Sequence, residues 1–428
     1  MRVLILGKGG REHGLAWKIA CSPRAGRVFV APGNAGTEGG PGGKIASVFL
    51  DLDDFEAITK FARAENIGLT VVGPEEPLAR GIVDALEKSK LRVFGPVKSA
   101  AQLEGSKVFC KELMRQAGVP TADFKVCDHP QIAKTYIDSR DYSLVVKANG
   151  LAGGKGVIVC NTREDAYRAV DRIMVRGEFG ATAGRHVVVE KRLNGREVSI
   201  MALVSGRCIL PLDPGQDHKA LQNNDTGPNT GGMGVYTPAP WLTSQLAHQV
   251  DEQVFVPTIH ALRKHGGHYR GCLFAGLMIT NQGPRVLEFN CRFGDPETQP
   301  MMMRLQTDLL DLLEAVVDGR LEEFEGKVKW DPRPAVCVVL AAGGYPGNIQ
   351  KGDPIHGLEA AGAMENVQVF HAGTRHDGRR IVTDGGRVLG VTALGENLAT
   401  ARERAYMAVG KLQFRGMNFR TDIGLGDR

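Results

Sequence analysis

The 428-residue chain has no Cys-x-x-Cys pair, and its eight cysteines fall at irregular intervals. Cys160, Cys208, Cys272 and Cys337 lie in or beside apolar, strand-like runs. That usage fits buried thiols in a reducing compartment and excludes a disulfide framework. Aromatic residues make up only 6% and are scattered, which leaves no base-stacking platform. The net charge of +5 is spread without basic runs, so no nucleic-acid groove is expected and anionic small molecules fit better. Met1 leads directly into a strand-like run, with no leader and no membrane span in view, so no membrane partner and a cytoplasmic location are expected. A Walker phosphate loop is also missing, because the spacing G-x-x-x-x-G-K-[ST] does not occur. No His-Glu-x-x-His pattern is present, and His260, His265 and His268 read as a fraying helix end, not a zinc site.

Glycine, by contrast, is abundant. The 55 glycines cluster at a few turns, where backbone can approach a ligand closely. A hydrophobic content of 43% supports real cores, and the length suggests about three domains.

Residues 1–105 alternate strand and helix, with strands at 3–6, 28–30, 69–72 and 93–94 and helices at 12–21, 54–64 and 78–88. The pattern predicts a doubly wound α/β domain on a parallel sheet. Its first turn, Gly7-Lys8-Gly9-Gly10-Arg11-Glu12-His13-Gly14, approaches the dinucleotide fingerprint but carries Glu12 at the third glycine position. The second strand ends in Ala31-Pro32-Gly33-Asn34, without the acid that would hold a ribose, so a nicotinamide cofactor is not expected. The turn is either a plain tight turn or a cradle for a single phosphate, with Arg11 adding a bidentate contact. Loops at 32–36 and 73–77 leave the same rim, where open α/β sheets bind ligands. His13 reads as a packed or surface imidazole, and the insert Gly39-Gly40-Pro41-Gly42-Gly43 has no assigned conformation.

A helix is expected from Ser106 to about Ala117, stopped by Gly118-Val119-Pro120. Lys107 in its first turn opposes the helix dipole, which fits either a nearby anion or a solvated lysine. Residues 121–190 read as a compact α+β segment. Strands are expected near 124–126, 144–147, 157–160 and 186–190, and a helix near 130–138. Between two of the strands lies Gly150-Leu151-Ala152-Gly153-Gly154-Lys155-Gly156, a flap able to fold over phosphates, toward which Lys147 also points. A connector at 191–197 precedes a strand at 198–204. The polar loop at 216–234 is long enough to be functional. A helix at 244–264 and a hairpin follow, with strands at 272–279 and 285–290 around Asn281-Gln282-Gly283. On the second of these strands Glu288 and Asn290 share a face, and a carboxylate beside an amide oxygen suits a hard cation such as Mg²⁺. Arg292, Asp295 and Glu297 follow within a turn. A helix at 301–317, a charged linker at 318–334 and a closing α+β domain complete the chain.

In order and spacing, these stretches resemble the glycinamide ribonucleotide synthetase family (phosphoribosylamine–glycine ligases) of the ATP-grasp superfamily. The resemblance rests on the first glycine turn, Ala31-Pro32-Gly33-Asn34-Ala35-Gly36-Thr37, Gln102-Leu103-Glu104-Gly105-Ser106-Lys107, Gly153-Gly154-Lys155-Gly156-Val157, Gln216-Asp217-His218-Lys219, residues 288–297 and Gly385-Gly386-Arg387-Val388-Leu389. It implies three parts: an N-terminal α/β domain over 1–105, an ATP-grasp domain over 106–325 with a flap subdomain at 121–190, and a C-terminal α+β domain over 326–428. It further implies an enzyme of purine synthesis that joins glycine to 5-phosphoribosylamine through glycyl phosphate, with ATP as co-substrate and Mg²⁺, or Mn²⁺, as metal.

By resemblance, Glu288 and Asn290 hold the metal. Lys107, Lys147, Lys155 and Lys219 meet phosphates, and Glu190, Leu193 and Glu197 hold adenosine. Arg292 steadies the transferring phosphoryl or the acyl phosphate, and Asp217 and Asp295 orient the amine substrates. Gly10, Arg11, Glu12, Asn34 and Glu75 line the phosphoribosylamine site. A monofunctional monomer is expected. Competing readings are another ATP-grasp ligase, an NAD-dependent dehydrogenase and a non-catalytic nucleotide sensor.

Overall fold

The computed structural model describes residues 1–151, 156–180 and 183–425. In the apolar run Arg2–Gly7, Val3, Leu4, Ile5 and Leu6 are fully buried, as a central strand covered on both faces requires. It lies at the centre of a five-stranded parallel sheet in the order Ile45–Ser47, Arg27–Pro32, Arg2–Gly7, Leu69–Val72, Val93–Phe94. The doubly wound expectation holds, with one added edge strand, Ile45–Ser47, reached through the glycine-rich insert. The single helix expected at 78–88 is instead two, Glu75–Arg80 and Ile82–Lys88, because Gly81 takes the left-handed conformation (φ +96°) between them.

Ser106 caps the helix Lys107–Ala117 by accepting the Phe109 N–H at 3.2 Å. A four-stranded antiparallel sheet follows, ordered Phe124–Cys127, Val187–Lys191, Leu144–Ala148, Val157–Cys160. A second such sheet is ordered Cys208–Pro211, Arg196–Ser205, Arg270–Thr280, Gly283–Asn290. The expected helix at 244–264 passes through a π turn at Asp251–Phe255, just ahead of Pro257, which lacks the N–H that would continue the ladder.

The helix expected at 301–317 is also two, Thr298–Arg304 and Leu309–Asp318, since Leu305 turns extended and Asp308 caps a new start on Leu310 N. The charged stretch after it is not a free linker: Phe324, Val328 and Trp330 pack on the core beneath the first sheet. The last sheet crosses the expected boundary at 326. Gln216–Asp217 and Gly234–Thr237 pair into it beside Ala335–Ala341, Arg387–Leu394 and Val367–His371. The polar loop between the first two of these strands is thereby fastened to the C-terminal module.

Helix Gly10–Ala20 joins the modules. Leu15, Ala16 and Ile19 share a core with Met301 and Met302. His13 is buried against strand Val367–His371, where its Nδ1 accepts the His371 N–H at 2.8 Å. Burial and the neighbouring His371 lower the His13 imidazole to about 3. Of the thiols, Cys110, Cys127, Cys160, Cys272, Cys291 and Cys337 are buried, Cys208 is half-buried and Cys21 exposed. No helix among the described residues is long and apolar enough to cross a membrane.

Candidate active site

All three modules line one cleft of about 1500 Å³. At its centre the strand Gly283–Asn290 carries a β-bulge: Leu277 pairs with Val286, while the adjacent Gly276 pairs with Glu288. The extra residue, Leu287, lets Val286 and Phe289 both enter the core while Glu288 and Asn290 both face the cleft. Leu287 lines the cleft, and its carbonyl accepts Lys147 Nζ at 2.9 Å.

Lysines surround this strand. Lys219 Nζ lies 3.3 Å from Glu288 Oε1. Lys107 donates to the Gly150 carbonyl at 2.8 Å. Chiefly through Lys219, and against the cost of burial, the Glu288 carboxyl is drawn down to about 2. Burial lowers Lys107 despite Glu288. Glu190, expected at adenosine, turns its carboxylate elsewhere: one oxygen meets Lys147 and the other Lys111, each at 2.5 Å. A buried carboxylate needs such partners, and Glu190 also lines the cleft. Leu193 and Glu197 line the adjoining wall. Lys155 and residues 152–154 lie outside the described residues.

Glu288 and Asn290 fit a hard cation, with an ionised carboxylate and an amide oxygen on one strand face. Among the described residues no group of three or more His, Cys, Asp or Glu is gathered for a metal, so phosphate oxygens and water would have to complete the shell.

At the other end, Glu12 explains the missing third glycine. Its carboxylate folds back over the turn, accepting Gly9 N at 2.6 Å and Arg11 Nε at 2.5 Å. A side chain on Gly73 would come within 2.1 Å of that carboxylate, so this glycine makes its room. The donors expected to hold a phosphate are therefore directed at carboxylates: Gly9 N to Glu12, and Arg11 N to Asp295 Oδ2 at 3.4 Å. The Arg11 guanidinium also meets the Phe293 carbonyl at 3.2 Å. Glu75 sits 3.3 Å from Arg292 Nε, and Arg292 with Arg11 hold its carboxyl below the usual range although burial pushes it up.

Gly10 and Asn34 do not reach the cleft wall. Gly10 packs on Gln299, and the Asn34 amide bridges the carbonyls of Lys8 and His371 at 2.8 and 2.9 Å. Burial and the Glu297 carboxylate push Asp217 up, while its Oδ1 accepts His218 N at 2.8 Å.

Three wall residues carry no expectation from sequence. Lys111 is one helical turn beyond Lys107, a spacing that puts both on one face. Glu104 and Arg387 sit inside stretches that carried the resemblance. Arg387 comes from the C-terminal module. It donates to Gly231 O at 2.6 Å and Asp295 O at 2.7 Å, tying the polar loop to the turn after strand Gly283–Asn290.

Two antiparallel sheets and a lysine-lined cleft define the ATP-grasp class. The biotin carboxylase domain dimer of *Hydrogenobacter thermophilus* 2-oxoglutarate carboxylase, solved with MgADP, ADP and bicarbonate, matches in fold with a TM-score of 0.76 at 16% identity, covering 98% of this chain and 91% of that one. Family models for phosphoribosylglycinamide synthetase match as the N domain over 1–104, the ATP-grasp (A) domain over 105–298 and the C domain over 335–426. A phosphoribosylamine–glycine ligase of *Rhodopirellula baltica* is 52% identical over 427 residues, 98% of this chain and 96% of the relative. The crystal structure of the *Thermotoga maritima* phosphoribosylamine–glycine ligase superposes with a TM-score of 0.84 at 34% identity, covering 99% of this chain and 100% of that one. The chain belongs to the phosphoribosylamine–glycine ligase family.

Proposed function

We propose that the chain joins glycine to 5-phosphoribosylamine, converting ATP to ADP and phosphate and yielding glycinamide ribonucleotide for purine synthesis. The observation that carries this reading is the single cleft, lysine-lined at one end and lined by paired arginines and carboxylates at the other. The glycine carboxylate attacks the γ-phosphoryl to give glycyl phosphate, and the amine of phosphoribosylamine then displaces phosphate. Neither step needs a nucleophilic side chain. Both need alignment and neutralised charge.

Lys107, Lys147, Lys155 and Lys219 neutralise phosphates, and the connector around Leu193 and Glu197 receives adenosine. Glu288 and Asn290 would hold Mg²⁺, with Mn²⁺ as an alternative, and the cation would supply charge neutralisation for phosphoryl transfer. Arg292 steadies the transferring phosphoryl or the acyl phosphate, and Asp217 and Asp295 orient the amine substrates. Arg11, Glu12 and Glu75 form the phosphoribosylamine wall, with Gly10 and Asn34 shaping its turns from behind. The enzyme works as a cytoplasmic monomer divided near 105 and 325.

ADP release measured with ATP, Mg²⁺, glycine and phosphoribosylamine generated in place is expected to require both amine substrates. Release with a different carboxylate–amine pair, and not with this one, would overturn the substrate assignment and keep the ATP-grasp chemistry.

A further inference from the structure

Glu104 is the penultimate residue of helix Lys98–Gly105, just ahead of the capped helix that carries Lys107. It faces the cleft, yet its side chain is only 8% exposed. One oxygen accepts the backbone N–H of Cys291 at 2.6 Å, and the other meets Arg292 Nη2 at 3.0 Å. A single carboxylate thus holds the backbone of one residue and the side chain of the next, at the point where the metal strand ends. The same helix takes the Cys291 thiol on the Ala100 carbonyl at 3.8 Å.

Arg292 has three further partners. Its contacts to Asn290 Oδ1, Glu75 Oε2 and the Phe293 carbonyl are 3.1, 3.3 and 3.3 Å. Burial pushes the Glu104 carboxyl up to about 7 even with Arg292 opposing it, so a carboxylate sits here at a cost that the guanidinium partly offsets. A purely packing role would be filled at lower cost by an apolar side chain.

We propose that Glu104 is a positioning residue that orients the Arg292 guanidinium toward the reacting phosphoryl and ties it to the helix bearing Lys107. This rests on the role proposed above for Arg292. Glu104→Gln keeps an oxygen for Cys291 N and turns an amide N–H toward the guanidinium, so it disturbs Arg292 selectively.

The test is steady-state ADP release by wild type, Glu104→Gln, Arg292→Lys and the double variant, with thermal melting of each. Glu104→Gln is expected to lower kcat about 10-fold or more, with the ATP KM changed less than about 3-fold and melting near wild type. On the Arg292→Lys background the same substitution is expected to change kcat by less than about 3-fold, because its target is already altered. Wild-type kcat in Glu104→Gln, or the full loss repeated on Arg292→Lys, would overturn the proposal. Wild-type turnover in Arg292→Lys would instead overturn the role of Arg292 itself. If Glu104→Gln melts early, Glu104→Asp carries the test: charge is kept, reach is shortened, and kcat is expected to fall about 3-fold or more. Unchanged kcat in that variant would overturn the proposal equally.

Discussion

The two ends of the cleft are built on different principles. At the phosphate end, Lys107, Lys111, Lys147 and Lys219 face two carboxylates, Glu190 and Glu288, and leave positive charge over. At the other end, Arg11, Arg292 and Arg387 face four carboxyls, Glu12, Glu75, Glu104 and Asp295, which offset the arginine charge. Charge left over at the first end suits an anion, and the paired charges at the second suit a substrate that carries both hydroxyl and amine groups. The ends also differ in origin. The lysines come from the middle of the chain, whereas the arginines come one from each module. The arginine end depends directly on how all three modules pack, and the lysine end depends on it through Lys219, whose loop is fastened to the C-terminal sheet.

The comparison breaks most directly at Glu288. Glu288→Ala is expected to lower kcat by on the order of 10²–10³-fold while the melting temperature stays near wild type, since the residue lines the cleft and not the core. Near-wild-type turnover would remove the metal assignment.

The seam behind the arginine end gives the next effect. The His13 imidazole is held at about 3 against an ordinary value of 6.5. Its neutral form is stable in the fold above pH 6.5. As pH falls through 6.5 toward 3, the unfolded chain binds a proton that the folded one does not. The fold should lose roughly 3 kcal/mol by pH 4 from this group. Melting followed from pH 7 to 4 should fall more steeply in wild type than in His13→Gln; parallel curves would refute it.

A smaller and more selective effect is expected from a crossed pair of variants. Arg387→Ala unties the polar loop from Asp295 and should raise the KM of the amine substrates about 10-fold, leaving that of ATP within about 2-fold. Lys147→Met should do the reverse. Equal effects of both variants on all substrates would show that the two ends do not act separately. Smallest, Ser106→Ala should cost about 1 kcal/mol of stability by removing the cap on the Lys107 helix, measured by denaturant unfolding.

Much of this was legible in the residues. Alternation in the first hundred residues set out the parallel sheet, and Ser106 with Gly118 bracketed a helix that formed as expected. The breaks at Gly81 and Asp308 were missed because apolar periodicity runs across both, and the glycine and the capping carboxylate that interrupt it act locally. The family resemblance assigns Glu190 to adenosine and says nothing of its lysine partners. Only packing brings Lys111 and Lys147 onto its two oxygens. Gly10 and Asn34 lie in two separate stretches that match the family; Gln299 packs against Gly10, and the Asn34 amide donates to the Lys8 and His371 carbonyls.

By itself, then, the sequence determined the order of elements, the buried thiols, the glycine turns and the Glu288/Asn290 pair, because hydrophobic period, capping and turn chemistry act over a few residues. Tertiary structure alone decided the bulge at Leu287 and the seating of Glu12 in the space beside Gly73. It also decided the convergence of Arg11, Arg292 and Arg387, since these depend on contacts between residues tens to hundreds of positions apart, which no local pattern encodes.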